Sequence, residues 1–472
     1  MKADRNDVSR IITLVIGSWL AGSAAASAAT HCVAVGGKGG CFSSIQSAIA
    51  AANAGDTIKI RKGDYVENVI VDKPLTIAGD KDDRVVIRPA VSNPNPCAGS
   101  SLCDGTVSNI ILVQADDVTL HDLVLDGDNP SLTSGIVRDG ADLDARNGII
   151  TNHLVGTFTN LTVYDVTLRN VYLRGIYASS GGTFNFHHNR VENVQGDTQS
   201  IGMFNFGGAG VMAFNDVSRA NDAVSSNWST GVQFIGNRIT ESASGVHTDN
   251  SGGNDLIADN RVSRGNSLGT GAPSYGVWTF AAFAPITVRG NRVEDVDVGL
   301  ATFGQALGLA VPAGTTFTDN VLIGRNAAGS VGAFVTTDQL GFGSNSIDAT
   351  FTDNVVSGFS EGFLMQSDPG NTIIVRATCN DVRGHDRAAA SMGAYQADLA
   401  GHQDISFQQN NLGNKGIGFA NFAAGTIDAE KNWWGCSNGP GAHGCTSISG
   451  DVDAANFLER PSRCAVGRPS GW

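Results

Sequence analysis

Apolar and polar positions along most of the chain follow a short repeat that begins with a glycine or an asparagine. Asn237-Arg238-Ile239 and Asn260-Arg261-Val262 show the asparagine form, and Gly245-Val246 and Gly276-Val277 show the glycine form. Short runs that alternate apolar and polar residues are typical of β-strands, and asparagine and glycine favour the turns between strands. The pattern therefore predicts many short strands separated by tight turns.

The asparagine form recurs at a nearly regular interval. From Asn189 to Asn432 the spacing varies between about 22 and about 34 residues, with a mean of about 27 residues, which is in the range of repeat proteins. Two or three strands per interval describe one coil of a β-solenoid, whose stacked coils bury one continuous core. The sequence predicts an all-β solenoid in which the asparagine column is structural, since stacked amides can bond along the axis. The column is Asn189, Asn215, Asn237, Asn260, Asn291, Asn320, Asn354, Asn380, Asn410 and Asn432.

A short helix is predicted ahead of the first coils. Residues 42–50 carry apolar side chains at helical spacing, and the turn-forming run 53–56 ends the pattern. The open end of a solenoid is an unpaired edge that must be covered. We therefore expect a short N-terminal capping helix.

The N-terminus has the pattern of a secretory signal peptide. Lys2 and Arg10 precede an apolar stretch over residues 11–20, and Ala26-Ser27-Ala28 fits a cleavage site. The stretch is too short to span a bilayer, and a short N-terminal anchor is the alternative. We expect a secreted or periplasmic protein whose mature chain is not inserted in a membrane. The expected divisions are 1–28 signal peptide, 29–460 β-helix domain and 461–472 C-terminal tail.

The chain contains eight cysteines. An even number behind a signal peptide indicates disulfides in an oxidising compartment. Three pairs are close in sequence, which leaves two cysteines to pair at longer range. No C-x-x-C spacing occurs, and this disfavours a metal site. The expected pairs are Cys32–Cys41, Cys97–Cys103, Cys436–Cys445 and Cys379–Cys464.

The formal net charge is −14. This charge opposes binding to nucleic acid, which relies on Lys and Arg neutralising phosphates, and opposes adsorption to anionic membranes. It does not exclude an acidic polysaccharide, because a local arginine cluster or a bridging cation could hold one. The oligomeric state is left open by the sequence.

Two segments resemble those of pectin-lyase-like proteins. The run 41–78, with Gly63-Asp64-Tyr65-Val66-Glu67-Asn68, resembles their opening, and Asn432-Trp433-Trp434-Gly435 resembles the end of many secreted members. The resemblance extends over nearly all of residues 32–460. It implies a single-stranded right-handed parallel β-helix. It leaves the activity open, because that superfamily includes polysaccharide lyases, hydrolases, epimerases and adhesins.

In such proteins the ligand lies along the outer face of one sheet. If the residue after each glycine points inward, the next points outward. Aromatic rings and polar groups then share one face, a combination that binds sugars. The outward positions are Asn152, Tyr177, Ser225, Asn227, His247, Asp249, Trp278, Phe280, Phe303, Phe334 and Tyr395. Those expected to bind an extended polysaccharide are Asn152, Asn227, Trp278, Phe280 and Phe303.

His247 and Asp249 are the candidate acid–base pair, because residues two apart on a strand face the same side. A histidine can take or give a proton near neutrality, and a nearby carboxylate orients it. Tyr177 is a candidate proton donor, and Arg264 and Arg174 could neutralise a uronate carboxylate. The alternative is a surface histidine and aspartate with no catalytic task.

A hydrolase would need two facing carboxyl groups, for which Asp222 and Asp249 are candidates. The polygalacturonase-like and alginate-epimerase motifs are missing, so no family residue carries over. No cofactor or metal is expected, although an acidic insertion could hold Ca²⁺. The spacing of its carboxylates matches no complete EF-hand loop, and a solvated turn is favoured. These carboxylates are Asp126, Asp128, Asp142 and Asp144.

The sequence favours a carbohydrate-active protein, with a polysaccharide lyase or epimerase ahead of a glycoside hydrolase. A non-catalytic surface or matrix-binding β-helix is the main alternative, and a β-helix accessory protein for metallocluster maturation is a third.

Overall fold

The computed structural model describes residues 28–81, 84–265, 272–280, 282–304, 312–337, 345–368, 370–394, 402–413 and 416–464. Residues 1–27 of the expected signal peptide lie outside these ranges. Tyr395 and the last eight residues of the expected tail lie outside them as well. No helix in the described ranges is long and apolar enough to cross a membrane.

The described residues form stacked three-strand coils. One 16-stranded parallel sheet, which we call PB2, runs along the stack, and a 25-stranded sheet comprises two further columns of parallel strands, which we call PB1 and PB3. The strands of PB2 are Thr30–Val33, Thr57–Ile60, Thr76–Ala78, Thr119–His121, Leu161–Tyr164, Thr183–His187, Ala209–Ala213, Val232–Ile235, Asp255–Ala258, Ile286–Arg289, Thr315–Thr318, Ile347–Thr352, Thr372–Thr378, His402–Gln408, Ile427–Asp428 and Val452–Asp453.

The strands of PB3 are Gly63–Val66, Val85–Arg88, Val124–Asp126, Arg190–Val194, Asp216–Ala220, Arg238–Thr240, Arg261–Ser263, Arg292–Glu294, Val321–Ile323, Val355–Ser357 and Asp381–Arg383. Those of PB1 are Val69–Val71, Asn109–Val113, Ala145–Thr151, Ile201–Phe206, Asp222–Ser229, Ser244–Asn250, Tyr275–Phe280, Val298–Phe303, Val331–Thr336, Glu361–Ser367, Ala388–Ala394, Ile417–Asn421 and Ser447–Ser449. Strand Thr167–Ala178 runs from PB3 into PB1.

Each strand pairs in parallel with its counterpart one coil away, as Val246 pairs with Val224 and Val277. Parallel crossovers are right-handed almost without exception. The chain is therefore a right-handed parallel β-helix, and the fold expected from the sequence is confirmed. The inward side chains of PB1, PB2 and PB3 form one continuous apolar core along the axis.

The asparagine column forms a buried ladder at the turn between PB2 and PB3. The amide of Asn260 donates to Phe234 O and to Asn291 Oδ1, at 3.0 and 2.9 Å. Its oxygen accepts from the backbone and amide nitrogens of Asn237, both at 2.9 Å. The structural prediction is thus confirmed. The left-handed backbone lies one residue earlier, for example at Asp259 (φ 58°), and not at the asparagine itself.

The predicted capping helix spans Ile45–Ala51 and buries Ile45, Ala48 and Ile49 against the first coils. The carboxylate of Glu67 accepts from the backbone nitrogens of Ile45 and Gln46, at 2.9 and 3.0 Å. These contacts satisfy two of the first helical N–H groups and fix the helix over the open end. Two short 3-10 segments occupy Val35–Gly40 and Cys103–Gly105.

Four disulfides connect the cysteines, and their pairs are those expected from the sequence. The Cα atoms are 4.8 Å apart in Cys32–Cys41, 5.8 Å in Cys97–Cys103, 5.2 Å in Cys379–Cys464 and 5.1 Å in Cys436–Cys445. The long-range bond, Cys379–Cys464, joins the turn after one PB2 strand to the C-terminal segment. Its two cysteines are 85 residues apart in the sequence.

Candidate functional site

The outer face of PB1 carries three of the candidate residues, Tyr177, His247 and Trp278, in one column along the axis. Val246 and Val277 are fully buried in the core, so His247 and Trp278 face outward, as the alternation predicted. Adjacent coils place side chains of one column about 4.8 Å apart. In order along the axis, the column is Ile150, Tyr177, Phe204, Ser225, His247, Trp278, Ala301 and Phe334.

His247 is held by two side chains of the preceding PB1 strand. Its Nδ1 lies 2.8 Å from Oδ2 of Asp222, and its Nε2 lies 2.8 Å from the Oδ1 of Asn227. A carboxylate only accepts, so Nδ1 carries a proton. If the Asn227 amide were turned over, its NH₂ would donate to Nε2 and the imidazole would be neutral. The chain Asp222–His247–Asn227 therefore accommodates the ring with or without its second proton.

Asp222, and not the predicted Asp249, is the carboxylate bonded to the imidazole. The two bonded residues lie on neighbouring coils, where Asp222 pairs with Ser244 and is partly exposed. The second oxygen of Asp222, Oδ1, is buried without a hydrogen-bond partner among the described residues. A buried carboxylate oxygen without a partner is costly.

Asp249 stabilises a β-bulge. Its carboxylate accepts the backbone N–H of Trp228, which has left-handed backbone (φ 57°). The register between the two strands shifts between Ser226 and Ser229, so one extra residue is accommodated there. A bulge redirects side chains and is common beside functional sites. Here it lies next to Asn227, the residue bonded to Nε2 of His247.

Trp228 is an exposed aromatic residue that the alternation of the sequence did not place on this face. Its side chain is exposed, and its ring centroid lies 6.2 Å from that of Phe283. Strict alternation places Trp228 on the inner face with Ser226, and only the bulge turns it outward. A tryptophan next to a predicted outward asparagine was the available signal.

An aromatic cluster follows His247 along the axis. The Trp278 ring stacks on the imidazole with centroids 4.1 Å apart, and its Nε1 donates to Ser244 Oγ at 2.8 Å. Phe280 and Phe303 face outward but are 8% and 0% exposed, so the expected exposed aromatic surface is wrong for them. Trp278 is half-buried. The PB1 aromatic cluster consists of Tyr275, Trp278, Phe280, Phe303 and Phe334.

Tyr177 lies beneath a loop and not in an open groove. The loop 92–107, closed by Cys97–Cys103, packs Leu102 and Val107 onto the rings of Tyr177 and Phe204. Burial raises the pKa of Tyr177 to about 12, although the charge of Arg174 opposes this. Tyr177 lies three coils from His247, about 14 Å along the axis. Its role as proton donor stays a prediction.

Two buried arginines hold this loop in place. Arg146 donates to the carbonyl oxygens of Pro94, Ser100 and Ser101, at 2.8, 2.9 and 3.2 Å. Arg174 donates to Ser101 Oγ at 3.3 Å and lies over the ring of Phe204. Burial lowers the pKa of Arg174 to about 10.

The remaining predicted residues lie elsewhere. Arg264 occupies the turn after PB3, where it is half-exposed and pairs with Glu241 at 2.8 Å. The Oδ1 of Asn152 accepts the backbone N–H of Leu154 at 3.1 Å and so closes a turn. Their catalytic and binding roles stay predictions.

The acidic insertion folds as a turn with one small antiparallel hairpin, Val137–Arg138 with Ala141–Asp142. Asp126 is bonded to Arg169 and Asn170, both at 2.8 Å. Burial raises the pKa of Asp144, and burial followed by the charge of Asp126 raises that of Asp128. Within the described ranges, no three His, Cys, Asp or Glu side chains are placed to hold a metal ion. A Ca²⁺ site here stays an untested alternative.

Comparison with known proteins adds similarities of architecture. No protein-family model and no curated protein matches the chain. The structure is similar to the A-module of a mannuronan C-5 epimerase from Azotobacter vinelandii, with 15% identity over 87% of this chain and 94% of that one and a TM-score of 0.45. It is also similar to DFA-IIIase from Arthrobacter chlorophenolicus A6, with 14% identity over 80% of this chain and 94% of that one and a TM-score of 0.43. A third similar structure is the adhesin PfbA of Streptococcus pneumoniae, with 12% identity over 77% of this chain and 95% of that one and a TM-score of 0.42.

Proposed function

We propose that this chain is a carbohydrate-active protein that binds an extended polysaccharide along the outer face of PB1, with His247 as its acid–base group. The observation that carries the proposal is the hydrogen-bonded chain Asp222–His247–Asn227 on that face. It lies between the exposed ring of Trp228 and the PB1 aromatic cluster. Rings and hydrogen-bonding groups on one face are the usual components of a sugar site.

Proton transfer at a sugar carbon, as in a lyase or an epimerase, fits this arrangement better than glycoside hydrolysis. A hydrolase needs two carboxyl groups free to face the scissile bond. Asp222 is bonded to His247, and Asp249 accepts the backbone N–H of Trp228. The group left for proton transfer is therefore the imidazole, whose Nε2 can give or take a proton when Asn227 turns.

Glycan binding without turnover is the second candidate. It is favoured by the burial of His247, which is 6% exposed, has both ring nitrogens bonded and has one face covered by Trp278. In this case the imidazole is a structural link between two coils. The exposed Trp228 then provides the contact with the glycan.

A product screen with matched variants separates the two. Purified protein is incubated with polyuronate and neutral polysaccharides, with new double bonds followed by ultraviolet absorbance and solvent deuterium incorporation by NMR. We expect turnover that His247→Ala abolishes and that Trp228→Ala reduces mainly through KM. Binding without any product in the parent would support the non-catalytic candidate. Unchanged turnover in folded His247→Ala would exclude His247 as the acid–base group.

We also propose a secreted or periplasmic location. The support is the set of four disulfides, since such bonds persist in oxidising compartments. Expression with and without residues 1–28, followed by fractionation and N-terminal sequencing, tests this. Retention of the full-length chain in the cytoplasm would contradict it.

A further inference from the structure

A concave surface lies on PB2, on a different sheet from the candidate site. We call it the PB2 trough; it encloses roughly 430 Å³. Its floor is formed by Thr119, Thr162 and Asn185, which occupy equivalent positions on three successive strands. At about 4.8 Å per coil the floor extends about 10 Å along the axis.

The floor side chains are available to a ligand. Thr119 and Thr162 are half-buried and Asn185 is exposed. None of the three side chains makes a hydrogen bond to a described residue, unlike the neighbouring side chains at the edge of the trough. Two hydroxyls and one amide therefore face the trough in a straight row.

One wall of the trough is a bonded row of turn residues. The Nδ2 of Asn160 donates to Asp117 Oδ1 at 2.8 Å, and Thr183 Oγ1 donates to Asn160 Oδ1 at 3.0 Å. Thr183 Oγ1 also accepts the backbone N–H of Asn160 at 2.9 Å. These bonds fix the side chains before any ligand arrives, which lowers the entropy cost of binding.

A stack of rings lies two residues further along the same strands, beyond the residues that line the trough. Tyr164 lies parallel to His121 and His187, with centroids 4.6 and 5.1 Å apart and interplanar angles of 6°. Both faces of Tyr164 are thus covered, and the stack presents ring edges. Burial raises the pKa of Tyr164, and the charges of Asp122 and Asp165 act in the same direction. The phenol therefore stays a hydrogen-bond donor at neutral pH.

The charge of the trough selects against an anionic ligand. Asp117 lines it, Asp116 lies beside it, and no lysine or arginine is among its described lining residues. Burial, and then the charge of the neighbouring His188, lowers the pKa of His187, which favours the neutral form of that ring. A polyuronate would bring like charges together without a compensating cation.

We propose that the PB2 trough is a binding site for a neutral, hydroxyl-rich oligosaccharide lying along the helix axis. Free hydroxyl and amide groups of the floor bond the sugar hydroxyls, and the fixed wall bounds the site on one side. The site is independent of the PB1 proposal, because it shares neither residues nor sheet with His247.

The test uses cellohexaose, xylohexaose and mannohexaose as neutral probes and tetragalacturonate as the charged probe, with affinity measured by calorimetry on the purified chain. Thr162→Leu fills the floor without removing a protein hydrogen bond. Thr316→Leu is the matched control, since Thr316 is exposed in the same column of PB2 six coils from Thr162. Melting curves establish that both variants fold.

We expect at least one neutral hexaose to bind, with Kd raised about tenfold or more by Thr162→Leu and unchanged by Thr316→Leu. The same loss is expected when Thr162→Leu is made in a Trp278→Ala background, which separates the trough from PB1. The proposal is overturned if no neutral hexaose binds at about 10 mM, or if Thr162→Leu binds as the parent does. Equal binding of tetragalacturonate, weakened by Thr162→Leu, would overturn the neutral assignment.

Discussion

The Nδ1 atom of His247 lies 2.8 Å from a carboxylate oxygen of Asp222, and the two residues belong to adjacent coils of PB1. The contact joins residues 25 positions apart in sequence. It orients the imidazole so that Nε2 points toward Asn227. Orientation of a histidine by a carboxylate is what an acid–base group requires.

Asp222→Ala should release the imidazole. We expect loss of the Nδ1 proton resonance in the downfield ¹H NMR spectrum, because that proton exchanges rapidly once its acceptor is gone. Any turnover should fall about 100-fold or more. Asp216→Ala, at a half-exposed position of PB3, is the control and should change neither. A persistent resonance in folded Asp222→Ala would contradict the assigned contact.

Asp249→Ala should loosen the bulge. Removing the carboxylate leaves the backbone N–H of Trp228 without its acceptor. We expect this loss to lower the free energy of unfolding by about 1–3 kcal/mol. The fluorescence of Trp228, taken as the difference from the same chain carrying Trp228→Phe, should become more accessible to quenchers. If quenching is unchanged, the carboxylate does not fix the bulge.

Asn260→Ala should destabilise the helix by about 2–4 kcal/mol. The substitution removes the ladder amide and leaves the backbone N–H of Asn237 and the carbonyl of Phe234 without their partners. Asn254→Ala is the control, since Asn254 is exposed, and should change stability by less than about 0.5 kcal/mol. Denaturant unfolding measures both. Equal stability of the two variants would show that the ladder is dispensable.

Val246→Asp should prevent folding. Val246 is fully buried in the core, and an unpaired carboxylate there costs several kcal/mol. Gln233→Asp, at an exposed position of PB2, is the control and should fold normally. Secretion yield and circular dichroism distinguish the outcomes. Normal melting of Val246→Asp would mean that the register of PB1 is misassigned.

Acid should weaken the N-terminal coil through Asp56. Hydrogen bonds from His31, Ala29 N and Asn53 N lower the pKa of Asp56 to about 2. The unfolded value is about 3.9, so the unfolded chain binds the proton more readily. This stabilisation is present above about pH 4 and is lost as the pH falls toward about 2. The protection of residues 30–33 against hydrogen exchange, relative to the intrinsic exchange rate, should fall over that range, and Asp56→Asn should remove most of the change.

The sequence was sufficient for the coil, the alternation of inward and outward residues and the ladder, because each follows from local periodicity. Val246 inward and His247 outward required only alternation and one glycine. The same reasoning did not predict which of the outward side chains are exposed to solvent. Tyr177 is covered by a loop whose anchor, Arg146, lies 52 residues from Pro94, and no local pattern encodes such a contact.

The partner of His247 was missed for a related reason. Asp249 shares its strand, whereas Asp222 reaches it from the neighbouring coil. Choosing between them requires the length of one particular coil and the presence of the bulge at Trp228. Because the coils differ in length, the column that a side chain occupies is known only after the coils have been aligned.

The buried ladder determines where the chain can accept insertions. Each coil contacts the next through one asparagine amide and through strand pairing. The number of residues between successive ladder asparagines differs from coil to coil, as between Asn320 and Asn354 and between Asn410 and Asn432. An insertion in a turn therefore adds surface without altering the rise. Position along the axis is set by the number of coils and not by the number of residues. One coil can therefore acquire a new loop while the spacing of the coils on either side stays the same.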